Sequence, residues 1–232
     1  MKKLLLAFAA VAVLGLPATA LADTLTFLAP VTARNNDSNS RNPNNSNYAG
    51  GLSQFDLDHH SAYSWRIDNI NLRAGQTITG ATLTFSSMRN WDGNANTLFV
   101  HLFDTAINSG VRSFTDASGA PVTNIFDNFT VGNPLIAAGT GNTFLGSRSF
   151  SNTAPFTWTI TFNAAQLRAL GSYISNGHNI AFGFDPDCHF WNNGISFNIT
   201  TGPGVPEPIS LILLGSGLGA LYLNRRKRRK AC

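Results

Sequence analysis

The residues with the greatest chemical potential are Phe184-Asp185-Pro186-Asp187-Cys188-His189-Phe190-Trp191-Asn192-Asn193-Gly194. Two carboxylates two apart, then two carboxamides and a glycine, offer hard oxygen ligands within one turn. Calcium takes roughly six to eight oxygens and tolerates irregular loops, so Asp185, Asp187, Asn192 and Asn193 are candidate Ca2+ ligands. The same residues also suit a plain hairpin loop. Asp-Pro and Asn-Gly are turn signals, and the EF-hand spacing is missing from this segment. Cys188-His189 next to two aspartates suggests zinc or a cysteine nucleophile. Adjacent residues on an extended chain face opposite ways, however, and the chain has no C-x-x-C and no H-E-x-x-H. A second cluster, Asp56-Leu57-Asp58-His59-His60, holds groups for a metal or a shared proton, or forms a polar loop leading to a strand at Tyr63. If the two clusters met in space, a metal site would become the better reading of both.

Two tryptophans lie in turn-like, polar surroundings: Trp91 in Arg89–Asn94 and Trp191 in the Asp/Asn segment. An exposed ring beside planar hydrogen-bonding side chains suits a pyranose face and its hydroxyls, so Trp91 and Trp191 are candidate saccharide contacts. The alternative is that both rings fold back over the ends of the sheets. Neither a G-x-S-x-G elbow nor a G-x-G-x-x-G loop occurs. Paired aspartates suffice for glycoside hydrolysis, but a domain rich in Asp supplies such pairs by accident.

The elements that must position these groups are strands. Phe156, Trp158, Ile160 and Phe162 alternate with threonines, and Ile195, Phe197 and Ile199 alternate with polar residues. Tyr63, Trp65 and Ile67, and Ile180, Phe182 and Phe184, show the same period of two, the mark of half-buried antiparallel strands. In Leu98–Phe103 both faces are apolar enough to be covered. In Ile78–Phe85 the phase slips near Gly80, which predicts a bulge there. One segment has helical spacing: Asn163 as cap, then Leu167, Leu170 and Ile174, with Asn176-Gly177 as the stop. Arg34–Gly51 is an Asn/Ser-rich loop or arm. The expected fold is all-β: an antiparallel, jelly-roll-like β-sandwich with one short helix.

Composition narrows the function. Charged residues are 12% of the 232 and apolar residues 43%, which argues against charge-driven disorder. The formal charge of +4 belongs to the ends. Residues 23–204 carry 8 Arg and 11 Asp, a net −3, with no Lys and no Glu. That removes a nucleic-acid footprint, the P-loop lysine, Schiff-base chemistry and every Glu-based acid/base scheme. Cys188 is the only cysteine of this stretch, so it forms no intramolecular disulfide there. Such a lone cysteine is either a buried small hydrophobe, the favoured reading, or a reactive thiol.

The ends read as addresses. Residues 1–22 combine Lys2 and Lys3, an apolar run from Leu4 to Leu16, and Ala20-Leu21-Ala22, a signal peptide cleaved between Ala22 and Asp23. At the other end, Val205-Pro206-Glu207-Pro208 precedes an apolar run over 209–223 and the basic cluster Arg225–Lys230. The run predicts a C-terminal hydrophobic helix that just spans a membrane, with the cluster on the cytoplasmic side. These three parts, in this order at the C-terminus, resemble the PEP-CTERM sorting signal over about residues 204–230. The resemblance implies that an exosortase, a membrane cysteine protease, recognises Pro206, Glu207 and Pro208 and removes the tail. It further implies export across the inner membrane of a Gram-negative bacterium that makes exopolysaccharide. The domains are then 1–22, signal peptide; 23–204, exported body; and 205–230, sorting signal. The functional expectation is a non-enzymatic surface or matrix protein, held transiently at the inner membrane, that binds exopolysaccharide. The alternatives are a secreted polysaccharide hydrolase or lyase and a purely structural coat protein.

Overall fold

A computed structural model of the chain describes residues 22–30, 57, 61–90, 92–115, 124–127, 134–151, 153–188 and 190–204. The chain falls into two compact units. One comprises Met1–Ala22, Ala74–Thr77 and Gly202–Cys232; among its described residues the Gly204 N–H donates to the Gly75 carbonyl at 2.7 Å. The other comprises Asp23–Arg73 and Ile78–Thr201 and carries the candidate site residues described below, except Ala22.

The strands are β1 (Asp23–Leu28), β2 (Ser61–Ile67), β3 (Gln76–Asn90), β4 (Asn96–Phe103), β5 (Gly110–Thr115), β6 (Asn142–Phe150), β7 (Phe156–Thr161), β8 (Ile180–Pro186), β9 (Phe190–Trp191) and β10 (Ile195–Pro203). They form two antiparallel sheets. The first has the order β1-β10-β3-β7, with β9 also pairing β3; the second has the order β5-β2-β8-β4-β6. The mainly β character, the antiparallel pairing and the one helix among the described residues agree with the alternation in the sequence.

Alternation also explains the core. Trp65 on β2 and Phe182 and Phe184 on β8 bury one face of the second sheet, and Phe85, Trp158 and Phe197 bury one face of the first. The two sets of rings meet: Phe85 lies edge-on to Phe184 at 5.6 Å, and Phe182 edge-on to Phe197 at 4.8 Å. Each such ring contributes roughly 1.5–3 kcal/mol by burial.

The helix α1 (Ala164–Gly177) starts as its sequence predicts. The Asn163 side chain accepts from the Ala165 and Gln166 N–H groups, and the Gln166 side chain accepts from the Asn163 N–H, a reciprocal cap. Leu170 and Ile174 are buried. His178, at φ 53°, closes the helix with a bond from its N–H to the Ile174 carbonyl.

A bulge in β3 lies against β7. Burial changes phase at Gly80–Ala81, but the register against β7 shifts between Phe85 and Met88, where Ser87 takes φ 47°. The phase slip in the sequence coincides with the change in burial, and the extra residue against β7 lies nearer the strand's end. A second bulge, in β6, was not visible in the sequence. Val100 pairs with Gly146 and His101 with Phe144, which leaves Leu145 as the extra residue, and Gly146 has φ 148°.

Both faces of β4 are covered, as its composition suggests. Leu98, Val100 and Leu102 enter the core, while Phe103 joins Ala62, Ala106, Phe126, Leu135, Ile136 and Ala181 in a second cluster. This cluster sits on the outer face of the second sheet and is capped by residues 124–127 and 134–136. Gly183 makes it possible. A Cβ there would stand 2.6 Å from Phe103 Cε2 and 3.0 Å from Phe126 Cε2, so only glycine lets both rings close over β8.

Candidate functional site

The Asp185–Gly194 segment connects β8, β9 and β10, so its backbone is fixed at three places. Asp185 ends β8 on the outer face of the second sheet. It is 4% exposed, and its Oδ2 accepts from the Ile125 N–H at 2.7 Å. Asp187 turns toward the start of β4. Its Oδ1 accepts from the Thr97 N–H at 2.5 Å, and its own N–H donates to the Thr97 carbonyl at 3.0 Å. Burial pushes the Asp187 carboxyl above the usual carboxylate range, against the opposing pull of the Thr97 N–H.

The two asparagines serve a third place. Asn192 Oδ1 accepts from the Gly194 N–H at 2.8 Å, a local turn bond. The Asn193 N–H donates to the Ser86 carbonyl at 2.7 Å, and the Ser86 N–H donates to the Gly194 carbonyl at 3.0 Å. Asn193 Oδ1 is buried with no hydrogen-bond partner among the described residues.

The four proposed calcium ligands therefore diverge. Asp185 holds residue 125, Asp187 holds β4, and Asn192 and Asn193 shape the turn beside the β3 bulge. Each carboxylate serves a different backbone amide, Ile125 for Asp185 and Thr97 for Asp187. Among the described residues no group of three or more His, Cys, Asp or Glu side chains is placed to hold a metal ion. Asp56, Asp58, His59, His60 and His189 lie outside the described residues. Leu57 is described, and it joins the two clusters in the backbone: its N–H donates to the Phe190 carbonyl at 3.1 Å and its carbonyl accepts from the Phe190 N–H at 2.8 Å.

Trp191 is no exposed platform. It is 6% exposed on β9, opposite Arg89 of β3, with Phe190 packed on Phe150 at 4.7 Å. The two-residue strand β9 draws the ring inward, so the saccharide role expected for Trp191 is corrected to a packing role. Cys188 is partly exposed and free of any disulfide, where a buried thiol was expected. It sits in the bend after β8, beyond the ladder that would have covered it.

Trp91 lies outside the described residues, but the turn that follows it is well defined. Asp92 Oδ1 accepts from the Asn94 N–H at 2.9 Å and from Asn96 Nδ2 at 3.1 Å; Asp92 Oδ2 accepts from Asn94 Nδ2 at 2.6 Å. Asn96 Nδ2 also donates to Asn90 Oδ1, and Asn90 Nδ2 donates to the Asn94 and Phe150 carbonyls. The Asn94 N–H bond, aided by the Asn94 and Asn96 side chains, holds the Asp92 carboxyl below the usual range. This is a rigid turn of carboxamides with its tip, Gly93–Ala95, exposed.

One polar cluster was missed in the sequence. His101, on the outer face of β4, is 1% exposed. Its Nδ1 is 2.8 Å from Asn142 Oδ1, its Nε2 is 2.7 Å from Asn124 Nδ2, and Asp127 Oδ1 lies 3.6 Å from Nε2. Burial lowers the His101 pKa, against opposing contributions from Asn142, Asp127 and Asn124. The available signal was a histidine between Phe99 and Phe103 in a strand apolar on both faces.

Ala22 is exposed, and Asp23 opens β1 and pairs with Thr201 of β10. Pro206, Glu207, Pro208 and the run 209–223 lie outside the described residues. Among the described residues no helix is long and apolar enough to cross a membrane. No protein-family model matches the chain, and no curated protein is similar to it.

Proposed function

We propose that the chain is an exported surface or matrix protein, made with a cleavable signal peptide and sorted through a C-terminal PEP-CTERM signal. In this reading an exosortase acts at Pro206–Pro208 after transient anchoring by residues 209–223 in the inner membrane, and the body is non-enzymatic. The observation that carries it is the pairing of Asp23 with Thr201. The residue that follows the proposed signal cleavage is the cross-strand neighbour of one just before Val205. Directly paired residues are ~5 Å apart, so both ends of the body leave from the same end of one ladder. A body built this way faces the membrane with the same end whether it hangs by its signal peptide or by its tail.

The body is proposed to be a β-sandwich of jelly-roll type. With β5 and β9 set aside, the orders β1-β10-β3-β7 and β2-β8-β4-β6 follow the pattern of two interleaved Greek keys, which supports that reading. The surface proposed to meet exopolysaccharide is the Asp92–Asn96 turn with the adjoining Trp91. Its support is the exposed Asn94 carboxamide at a turn braced by Asp92, since planar amides suit sugar hydroxyls.

The test is the intact mass of the protein recovered from the producing cells. An N-terminus at Asp23 and a C-terminus within residues 204–208 support sorting; retention of the basic tail overturns it. Co-sedimentation with the cells' own exopolysaccharide, lost in Trp91→Ala and Asn94→Ala, supports binding. Release of reducing ends in the same samples would replace the matrix reading with a hydrolase or lyase.

A further inference from the structure

The segment Asn124–Asp127 lies on the outer face of the second sheet, and three elements hold it there. Asp185 on β8 accepts the Ile125 N–H. Asn142 on β6 donates through Nδ2 to the Phe126 carbonyl at 2.9 Å. His101 on β4 meets the Asn124 side chain at 2.7 Å. Phe126 fills the space beneath, with its ring centroid 5.3 Å from Phe103 and 5.7 Å from His101. The β6 bulge brings Phe144 opposite His101, 5.0 Å between centroids, and closes the other side of the imidazole.

The neighbours of His101 dictate where its proton sits. Asn142 spends its Nδ2 on the Phe126 carbonyl, so it presents Oδ1, an acceptor, to Nδ1. Asn124 spends its Oδ1 on the Phe126 N–H at 3.2 Å, so it presents Nδ2, a donor, to Nε2. Flipping either amide would break the second bond that orients it. The set is satisfied only by the neutral imidazole with hydrogen on Nδ1 and a bare lone pair on Nε2. A second proton would place an N–H on Nε2 facing the N–H of Asn124, donor against donor. The nearby acceptor is then Asp127 Oδ1, 3.6 Å away on the same segment.

We propose that His101 is an acid-operated latch: neutral, it holds Asn124 and seats residues 124–127 on the sheet; protonated, it releases Asn124, turns to Asp127 and loosens the cover over Phe103 and Phe126. This rests on donor and acceptor parity and stands apart from the sorting reading. The charged groups around it on the described elements are few. Asp127 belongs to the segment itself, and Asp185 on β8 shares the outer face with its Oδ2 engaged by Ile125. Asp104 follows β4 and accepts from Asn176. Arg148 on β6 lies over Phe156. Arg66 on β2 binds Asp68 and the Ala106 carbonyl, and Arg112 on β5 binds the Val111 carbonyl. Among the described residues only Asp127 lies within ion-pair distance of the imidazole. Burial keeps the transition below the ordinary histidine range.

The exported protein, labelled with 15N, tests this. At about pH 7.5 the His101 ring should show the Nδ1–H tautomer by long-range 1H–15N correlation. Between about pH 7.5 and about pH 5, protection of the Ile125 and Phe126 amides from hydrogen exchange, corrected for intrinsic rate, should fall about tenfold, the equivalent of one lost bond. Protection at Thr159 and Phe197 in the first sheet should not change. His101→Gln, which keeps Asp185, should remove the acid response. Asn124→Asp gives the imidazolium an acceptor and should keep the segment seated at the lower pH. An Nε2–H tautomer at neutral pH overturns the latch, as does an unchanged acid response in His101→Gln or undiminished protection in acid.

Discussion

Asp185 and His101 occupy the same outer face of the second sheet on neighbouring strands, β8 and β4. They gather polar groups in opposite ways. Around Asp185 the side chains of a motif-rich segment spread apart, and Asp185, Asp187 and Asn192 each accept from a separate backbone amide. Around His101 residues from three distant parts of the chain converge, and none belongs to a motif. Polar residues close in sequence compete for different backbone partners once the chain bends. Polar residues brought together from β4, β6 and the segment covering them share one place and must satisfy one another.

The largest expected effect lies on the His101 side. Phe126→Ala empties the cover over β4 and β8 and should lower the unfolding free energy by about 3–5 kcal/mol in urea titration. A loss below 1 kcal/mol would mean the cover adds little and would erase the contrast. On the Asp185 side, Asp185→Ala leaves the Ile125 N–H without this acceptor and should cost about 1–3 kcal/mol. Equal losses from Ala at Asp185 and Asp187 would show that the two carboxylates are alike as clasps.

The two regions also respond to pH with opposite signs. His101 has its pKa lowered on folding, so the folded state holds fewer protons than the unfolded one, and stability falls as pH drops below ~6.5. Asp187 has its pKa raised on folding by burial, so stability falls as pH rises from the ordinary aspartate value through the raised one. His101→Gln should flatten the first slope and Asp187→Asn the second, read as denaturation midpoints against pH. The smallest effect belongs to the exposed turn. Asn94→Ala should change stability by no more than ~0.5 kcal/mol, which leaves it a clean probe of saccharide binding.

Much of this architecture is legible in the sequence. The alternation in 156–162, 180–184 and 195–199 marks β7, β8 and β10, and Asn163 with Leu170 and Ile174 marks α1. The candidate site was legible only as residue types. Nothing local in Asp185-Pro186-Asp187 says that one carboxylate meets Ile125 and the other Thr97, because those partners are set by strand order. Trp191 was misplaced for the same reason, since β9 is too short to show a period. The β6 bulge and the Asn124 and Asn142 amides meet His101 from far along the chain, and His101 gains its meaning only from them.

The most direct test is a set of denaturation midpoints for the exported protein, His101→Gln and Asp187→Asn, measured from about pH 5 to about pH 7.5. The expected result is a wild-type midpoint that falls toward acid, a flatter curve for His101→Gln, and for Asp187→Asn a fall at least as steep as in the wild type. Parallel curves for all three proteins would contradict the account, because neither buried group would then be coupled to folding as its surroundings require.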